Sequence, residues 1–494
     1  MSIGATEESA RANGWVWKIV AIWVLLGVTL LRLYNLNLKP LHHDEGVNAL
    51  FLTNLASISG IYRYDPTNYH GPTLYYLAVP SVKTFGLNEF AIRFVPALFG
   101  IVTTVLVLSL RRHIGSLGAL SATALVGLSP GAVYFSRYFI HETLLVCFTL
   151  ATVTAVTRYL ETREWWSLLV ASTSIGLMFA TKETAIISAA VLAVAAITTC
   201  LWFRFDDGWR GPVFSDPARG ILALIAITLP FLVVTVVFYS SFLTNWQGVA
   251  DAVRSFAVWS RTGTQAHIHP WSTYFKWLSI EELPIFITGG FGIVVALWRH
   301  DNAFAVFTGV WALGVLAVYS IIPYKTPWLT LNLIVPFAII AGYSLDTLRT
   351  AGLPRAAVVT AVVLGCAALY QTLSLTFVHY DDEAYPYVYA HTKRDVIELV
   401  KQVDRLSNAS NGQSPVSIAV TSPEHFPLSW YLRYYRTGFF GRVVKVQDPI
   451  VIGAEHQVQA LQYVLGDDYQ PTGTYLLRPG VRLVLFVRRT LIQR

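Results

Sequence analysis

Four ionisable residues follow the first apolar segment of the chain. The stretch LHHDEGVNAL, residues 41–50, contains His42, His43, Asp44 and Glu45 in a row. A carboxylate beside a second carboxylate can act as a general base, and the histidines can supply hydrogen bonds or metal ligands. Because ionisable groups near hydrocarbon are costly and often functional, we interpret this stretch as a catalytic corner. The alternative is a solvated loop at the end of a membrane span.

Two further patches place basic residues next to acids. In SRYFIHET, Arg137 and His141 are four residues apart and so share one side of a helix end, and Glu142 follows directly. The planar guanidinium of Arg137 suits a phosphate, although snorkelling and an intrahelical pair would also explain it. In ATKETA, Lys182 stands beside Glu183, either as a charge for a site or as an exposed ion pair.

Two patches combine basic residues with aromatic residues or histidines. In PYKTPWLTL, Lys325 and Trp328 could belong to a site or could be ordinary interfacial anchors. The stretch SRTGTQAHIHP contributes Arg261, His267 and His269. Two histidines two residues apart could bind a metal, but no cysteine accompanies them and a surface loop explains them more simply.

The composition indicates which elements position these residues. Of the 494 residues, 54% are hydrophobic and 13% are charged, whereas soluble domains carry about 25% charged residues. An apolar run of about 20 residues can cross a hydrocarbon core of about 30 Å. Eleven such runs predict spans near residues 15–34, 89–110, 117–134, 142–160, 165–181, 184–203, 219–241, 284–299, 303–322, 329–346 and 355–375.

Basic residues in the short loops predict the orientation in the membrane. If the N-terminus is cytoplasmic, alternate loops carry RRH at 111–113, Arg299 and Arg355, and basic short loops mark the cytoplasmic side. This explains the net charge of +7 better than nucleic acid binding does. We therefore expect a multi-pass protein of the plasma membrane whose chemistry lies on the outer side.

The predicted domains are a transmembrane part, residues 1–375, and an extracytoplasmic α/β domain, residues 376–494. The first part has a first outer loop at 35–88, where YHGPTLYYLAVPSVKTFG predicts an interfacial or re-entrant helix, and a long outer loop at 242–283. In the C-terminal part, DVIELVKQV has helical spacing, and VSIAV, RVVKV and VRLVLFV are typical of strands.

The predicted topology puts the polar patches on one face of the membrane. Acids, a guanidinium and two ammonium groups then come from loops that are far apart in sequence. A pocket with a carboxylate base and several cations is equipped to displace a phosphate leaving group with an acceptor hydroxyl. The chain has no P-loop, no dinucleotide glycine fingerprint and no nucleophile elbow, which argues against the usual soluble enzymes with those motifs.

The combination of motifs resembles a known family. The early DE after the first span, with HGPTLYYL and NEFAIRFVPALFG, is similar to GT-C glycosyltransferases that use lipid-phosphate sugars, such as protein O-mannosyltransferases and the aminoarabinose transferase of lipid A. The fuller set HHDEG, YHGPTLYY, SRYFIHET, ATKETA, YKTPWL, YVYAHTKRDV and FPLSWYLRYY resembles the archaeal and bacterial "flippase activity-associated" membrane proteins. This resemblance covers nearly the whole chain.

The resemblance implies a GT-C fold and a sugar donor carried on polyprenyl monophosphate. Asp44 would be the general base in an inverting transfer, and Glu45 would support it. Arg137 would contact the phosphate, with Lys325, Lys182 and Arg261 adding positive charge. We expect five further residues to bind the substrate or to shape the loops: His43, His70, His141, Glu142 and Trp328. The acceptor would be a glycan, a lipid or a protein.

Two alternatives stay open at this point. No cofactor is required because the cations can neutralise a monophosphate, but a divalent metal could bind His42, His43, Asp44, His267 and His269. The other alternative is a flippase or an accessory subunit that handles lipid-linked sugars without catalysis. The spans carry almost no internal charges, which favours a one-sided enzyme over a transporter.

Overall fold

The chain divides into two compact units. The computed structural model describes residues 2–55, 62–68, 70–207, 217–265, 267–409 and 416–492. The helical unit comprises Met1–Leu36, Ser59–His379 and Tyr385–Tyr387, and the sheet unit comprises Asn37–Ile58, Tyr380–Ala384 and Val388–Arg494. The segment with Asp44 therefore belongs to the same unit as the C-terminal part of the chain.

Helices occupy the positions at which the sequence predicted spans. Within the described ranges, eight helices are long and apolar enough to cross a membrane: Gly14–Leu33, Glu89–Ser109, Glu142–Thr162, Ala185–Phe203, Gly220–Tyr239, Ala303–Ile321, Pro327–Thr350 and Pro354–Val378. Two bent pairs, Ser116–Gly127 with Pro130–Ser136 (54°) and Thr273–Glu281 with Leu283–Arg299 (115°), raise the number to ten if each is one span. Trp165–Thr181, with 17 residues, is a shorter apolar helix. The multi-pass helical fold is confirmed, whereas the predicted count of eleven spans is not.

Burial separates an inner helix of the helical unit from its outer ones. The apolar window of Pro327–Thr350 is 100% buried, whereas that of Gly220–Tyr239 is 6% buried and suited to lipid. The inner helix crosses Ser116–Gly127 where Gly342 meets Gly118. The backbones are close at this point, since a Cβ on Gly118 would lie 2.9 Å from the carbonyl oxygen of Gly342. Small residues at such crossings allow the two backbones to approach closely.

Shorter helices fill the predicted outer loops. Thr73–Phe85 lies where the sequence predicted an interfacial or re-entrant helix. The long loop at 242–283 contains Gln247–Gln265 and Thr273–Glu281. The placement of these helices at the membrane surface stays a prediction.

In its described residues, the sheet unit contains five strands with helices packed on them. The strands are β1 (Ile418–Val420), β2 (Thr437–Phe439), β3 (Ile450–Ala454), β4 (Tyr469–Arg478) and β5 (Val481–Arg488), in the spatial order β2-β1-β3-β5-β4. β1 pairs in parallel with β2 and β3, and β5 is antiparallel to β3 and β4. Helix Asp395–Ala409 contributes Val396, Leu399 and Val403 to one core, and helix Val458–Leu465 contributes Leu461 and Leu465 to another. The predicted α/β class of the C-terminal part is confirmed.

One strand prediction from the sequence was wrong, and one strand was missed. RVVKV, residues 442–446, forms no strand. β4 was missed because Pro471 and Gly473 interrupt its apolar pattern, and the register shifts between those two residues. A proline is tolerated there because β4 is an edge strand.

Candidate active site

The catalytic corner predicted at Asp44 is the first turn of a helix in the sheet unit. Helix His43–Asn54 begins directly after His42, whose Nδ1 accepts the backbone N–H of Asp44 at 3.1 Å. Glu45 accepts the backbone N–H of His42 at 2.9 Å and completes a capping box. Glu45 is fully buried and Asp44 is half-buried, so Glu45 holds the turn while Asp44 keeps access to solvent.

Residues from the C-terminal part surround the two histidines of this corner. His42 Nε2 lies 3.0 Å from the carbonyl oxygen of Tyr389, and its ring stacks on His391. The Nδ1 atom of His43 lies 3.1 Å from Arg478 Nη1. Burial, assisted by the neighbouring positive charge of Arg478, lowers the pKa of His43 to about 4, so the imidazole is neutral at physiological pH.

A second polar cluster lies in the helical unit and joins three of the sequence motifs. His70 of the HGP motif contacts Glu183 of ATKETA, with 2.9 Å between Nδ1 and Oε2. Lys182 forms a buried ion pair with Glu142. The ring of His141 packs against that of His70 at 4.8 Å between centroids. Lys182 and Glu183 are thus neither exposed nor paired with each other, contrary to the alternative considered from the sequence.

Glycine in the HGP motif is required by close packing on ATKETA. The backbone N–H of Gly71 donates to the carbonyl oxygen of Thr181 at 3.1 Å, and a Cβ on Gly71 would lie 2.1 Å from the carbonyl oxygen of Ala180. Thr73 Oγ1 donates to that same carbonyl at 2.6 Å. His141 Nε2 lies 3.2 Å from the carbonyl oxygen of Gly71. These contacts fix where His70 stands relative to Glu183.

Burial and charge set the protonation of this cluster. Burial lowers the pKa of Lys182, but Glu142 and Glu183 together raise it above its ordinary value. Burial raises the pKa of Glu183, but His70 and then Lys182 lower it below its ordinary value. Burial holds the pKa of His141 well below its ordinary value. The cluster therefore contains an ammonium at Lys182, an ionised carboxylate at Glu183 and a neutral imidazole at His141.

A cleft opens beside this cluster. Its empty volume is about 450 Å³, and it is lined by His70, Lys182, Glu183, Thr184, Ile187, Trp259, Tyr319, Ile322, Tyr324 and Leu329. Charged groups occupy one part of the lining, and aromatic and aliphatic side chains occupy the rest. This mixture is typical of a pocket that orients a polar ligand with a few convergent groups.

Two predicted phosphate ligands contact backbone carbonyls. The Nη atoms of Arg137 donate to four carbonyl oxygens of residues 31, 32, 34 and 35, at 2.7 to 3.1 Å, at the end of the first span. Lys325 Nζ donates to the carbonyl oxygens of Tyr319, Ser320 and Ile322 at 3.0, 3.0 and 2.6 Å. Burial lowers the pKa of Arg137 to about 10 and lowers the pKa of Lys325. Both cations cap the negative end of a helix, and phosphate binding by them stays a prediction.

The remaining predicted residues lie in two segments of the helical unit that contact each other. Ile268 forms an isolated bridge with Tyr324, and His267 accepts the backbone N–H of Lys325 at its carbonyl oxygen, so the long loop pairs with the YKTPW motif. His269 is half-buried, Arg261 is exposed, and Trp328 is buried. Among the described residues, no group of three or more His, Cys, Asp or Glu is arranged to hold a metal ion. The metal alternative stays a prediction.

The helical unit therefore brings together His70, His141, Glu142 and Lys182, and the sheet unit brings together His42, His43, Asp44 and Glu45. Sequence reasoning missed Arg478 and His425, which interact with His43 from the C-terminal part, and Glu424, which pairs with Arg478. No local signal marks them, since Arg478 only ends a strand. Tyr324 was also missed, although it precedes Lys325 within a quoted motif.

Comparison with known proteins shows what the fold is similar to. No protein of curated function matches the sequence. Residues 69–239 match the family described as dolichyl-phosphate-mannose-protein mannosyltransferase. The structure is similar to ArnT from Cupriavidus metallidurans in the apo state, with a TM-score of 0.65 and 17% identity over 97% of this chain and 99% of the other. It is also similar to ArnT bound to undecaprenyl phosphate, with a TM-score of 0.64 and 16% identity over the same shares.

A third similar structure is the oligosaccharyltransferase of Archaeoglobus fulgidus tethered with an acceptor peptide. It has a TM-score of 0.55 and 14% identity over 97% of this chain and 76% of the other. These likenesses establish the fold. The fold is that of GT-C membrane glycosyltransferases, as the resemblance of the motifs implied.

Proposed function

We propose that the protein transfers a sugar from a polyprenyl monophosphate carrier to an acceptor hydroxyl on the outer face of the membrane, with inversion at the anomeric carbon. The observation that carries this proposal is the likeness, over 97% of the chain, to ArnT bound to undecaprenyl phosphate. The acceptor belongs to the glycans, lipids or proteins of the cell envelope.

Asp44 is the proposed general base. It takes the proton of the acceptor hydroxyl while the acceptor oxygen attacks the anomeric carbon, and the bond from that carbon to the phosphate oxygen breaks. The first turn of helix His43–Asn54 supports this role, because the capping box of His42 and Glu45 fixes the backbone at Asp44. Half-burial keeps Asp44 within reach of a substrate, whereas Glu45 is buried and bonded to the backbone.

The cleft of the helical unit is the proposed site for the polar head of the donor. Lys182 and His70 supply the groups that suit phosphate oxygens, and Glu183 can accept hydrogen bonds from sugar hydroxyls. Trp259 and Tyr324 add aromatic surface to the lining. Phosphate binding by Arg137, Arg261 and Lys325 is a weaker part of the proposal, because the carbonyl contacts of Arg137 and Lys325 favour a structural role.

The test is transfer of radiolabelled sugar from polyprenyl phosphate donors by the purified protein in lipid nanodiscs, with envelope extracts as acceptors. Loss of a general base lowers the rate by about 10²- to 10⁴-fold, so Asp44→Asn should lose transfer to this extent. Asp468→Asn, which removes an exposed carboxylate elsewhere in the sheet unit, is the matched control and should keep the wild-type rate.

Three outcomes would change the proposal. Full transfer by Asp44→Asn would exclude Asp44 as the base. Loss of transfer with a chelator, restored by a divalent metal, would support the metal alternative. If the wild-type protein turns over no donor but labelled lipid crosses liposome membranes, the protein is a flippase rather than an enzyme.

A further inference from the structure

Arg478, near the end of the chain, contacts the residue beside the proposed base. It is the last residue of β4, and its Nη1 lies 3.1 Å from His43 Nδ1. Its Nη2 forms an ion pair with Glu424, in the loop that follows β1. The two contacting residues are 435 positions apart in sequence and lie in the same compact unit.

This contact determines which nitrogen of His43 carries the proton. A guanidinium only donates hydrogen bonds, so Nδ1 of His43 accepts and the proton of the neutral ring is on Nε2. The edge of the ring packs against Phe426, with 5.3 Å between centroids, which restricts its rotation. His43 therefore presents a hydrogen-bond donor one residue away from Asp44.

The guanidinium of Arg478 is partly buried beside the corner. Burial lowers the pKa of Arg478, and the negative charge of Asp44 opposes that shift. The side chain of Arg478 is only 15% exposed, which limits screening by solvent. Glu424 holds the other side of the guanidinium and fixes its orientation.

We propose that Arg478, oriented by Glu424, is a positioning residue of the catalytic corner. It holds His43 in the Nε2-protonated form beside Asp44, which deprotonates the acceptor. This inference rests on the proposed function of Asp44. It also gives the C-terminal part of the chain a direct role in the chemistry.

Packing also favours a precise fit at this point. A Cβ on Gly46, three residues after His43, would lie 2.7 Å from Pro427 Cβ, so helix His43–Asn54 is held tightly against the loop that carries Glu424. A helix and a loop in such contact cannot shift far without separating His43 from Arg478. The geometry of the corner therefore depends on both segments.

The first test is steady-state transfer by Arg478→Met, Arg478→Lys and, as a matched control, Arg482→Met, whose side chain is 58% exposed on β5. Misplacement of a catalytic group costs on the order of 10- to 100-fold. We expect a fall of that size in kcat for Arg478→Met with KM for the donor unchanged, and partial recovery in Arg478→Lys. In a His43→Ala background, Arg478→Met should lower kcat by a much smaller factor than it does in the wild type.

A merely structural role would give a different pattern. Arg478→Met would then lower the folded yield and leave kcat per folded molecule equal to that of Arg482→Met. Alternatively, it would lower kcat by the same factor in the wild-type and His43→Ala backgrounds. Either result would overturn the proposal.

The second test does not need turnover, and so separates this inference from the proposed function. Protein labelled with ¹⁵N-histidine should give a His43 signal, identified by its loss in His43→Ala, with the shifts of an Nε2-protonated ring. Arg478→Met should convert it to a mixture of tautomers. An Nδ1-protonated ring in the wild-type protein, or an unchanged signal in Arg478→Met, would refute the positioning role even if the transferase is active.

Discussion

The buried ion pair between Lys182 and Glu142 offers a quantitative test of how the helical unit is stabilised. Their side chains are 7% and 3% exposed, so neither charge can be solvated if its partner is removed. Loss of one partner of a buried pair costs about 3 to 5 kcal/mol, whereas replacement of both by apolar groups is often neutral or stabilising. Lys182→Met and Glu142→Leu should therefore each be strongly destabilising, and the double variant should not be.

The neighbours of the pair predict which single variant is worse. In Glu142→Leu, the ammonium of Lys182 still interacts with the charge of Glu183, which places the cost near 3 kcal/mol. In Lys182→Met, Glu142 loses its ion-pair partner, and Glu183 keeps only His70, which places the cost near 5 kcal/mol. If the double variant lies within about 1 kcal/mol of the wild type, the coupling energy is about 7 kcal/mol.

The assay is reversible unfolding in mixed micelles by titration with SDS, followed by tryptophan fluorescence. The exposed pair Arg299 and Asp301, with side chains 43% and 48% exposed, is the matched control. Its coupling energy should be about 0 to 1 kcal/mol. The reasoning is refuted if the single variants of the buried pair cost less than about 1 kcal/mol, or if their costs simply add in the double variant.

Three further predictions concern single residues of the helical unit. Gly71→Ala should cost about 1 to 3 kcal/mol because its Cβ would lie 2.1 Å from the Ala180 carbonyl oxygen, whereas Gly290→Ala, with open space around it, should cost nothing in the same unfolding assay. Burial keeps the pKa of His141 well below its usual 6.5, so below pH 6.5 only the unfolded chain takes up this proton. The free energy of unfolding should therefore fall as pH drops from 6.5, and His141→Asn should reduce that slope by about 1.4 kcal/mol per pH unit. A pH dependence of His141→Asn equal to that of the wild type would contradict this. Lys325→Met should lower the free energy of unfolding by about 2 to 3 kcal/mol, because three carbonyl oxygens lose their hydrogen-bond donor. The donor KM of the folded fraction should stay unchanged, and a raised KM would instead support phosphate binding.

The membrane helices could be predicted because their signal is local. An apolar run of sufficient length has few alternatives to a helix, since every backbone polar group in lipid must be satisfied within the segment. The count of spans could not be predicted, because it depends on bends that composition does not encode. The 115° bend between Thr273–Glu281 and Leu283–Arg299 is such a case.

The contacts of the cations could not be predicted from residue type. Arg137 and Lys325 were expected to meet phosphate, yet the groups within hydrogen-bonding distance are carbonyl oxygens at the ends of helices. A guanidinium or an ammonium satisfies either kind of acceptor equally well, and the sequence gives no information on which one folding brings near. The contact of His70 with Glu183 joins two motifs that were recognised in the sequence. Their spacing in the sequence did not reveal that they meet.

The charges beside the cleft bear on how a donor could bind there. Lys182 is matched by Glu142 and Glu183 by His70, so these four groups sum to zero if His70 is protonated and to one negative charge if it is neutral. A polyprenyl phosphate ester of a sugar brings one more negative charge. It can be accommodated if a proton enters with it, if Glu142 gives up part of its contact with Lys182, or if other cations neutralise it. In the second case, stability and donor binding are coupled through the same ion pair, so the double variant at Lys182 and Glu142 can regain stability without regaining transfer. A variant that regained both would mean that the pair supports only the fold and that the donor head is neutralised by other cations.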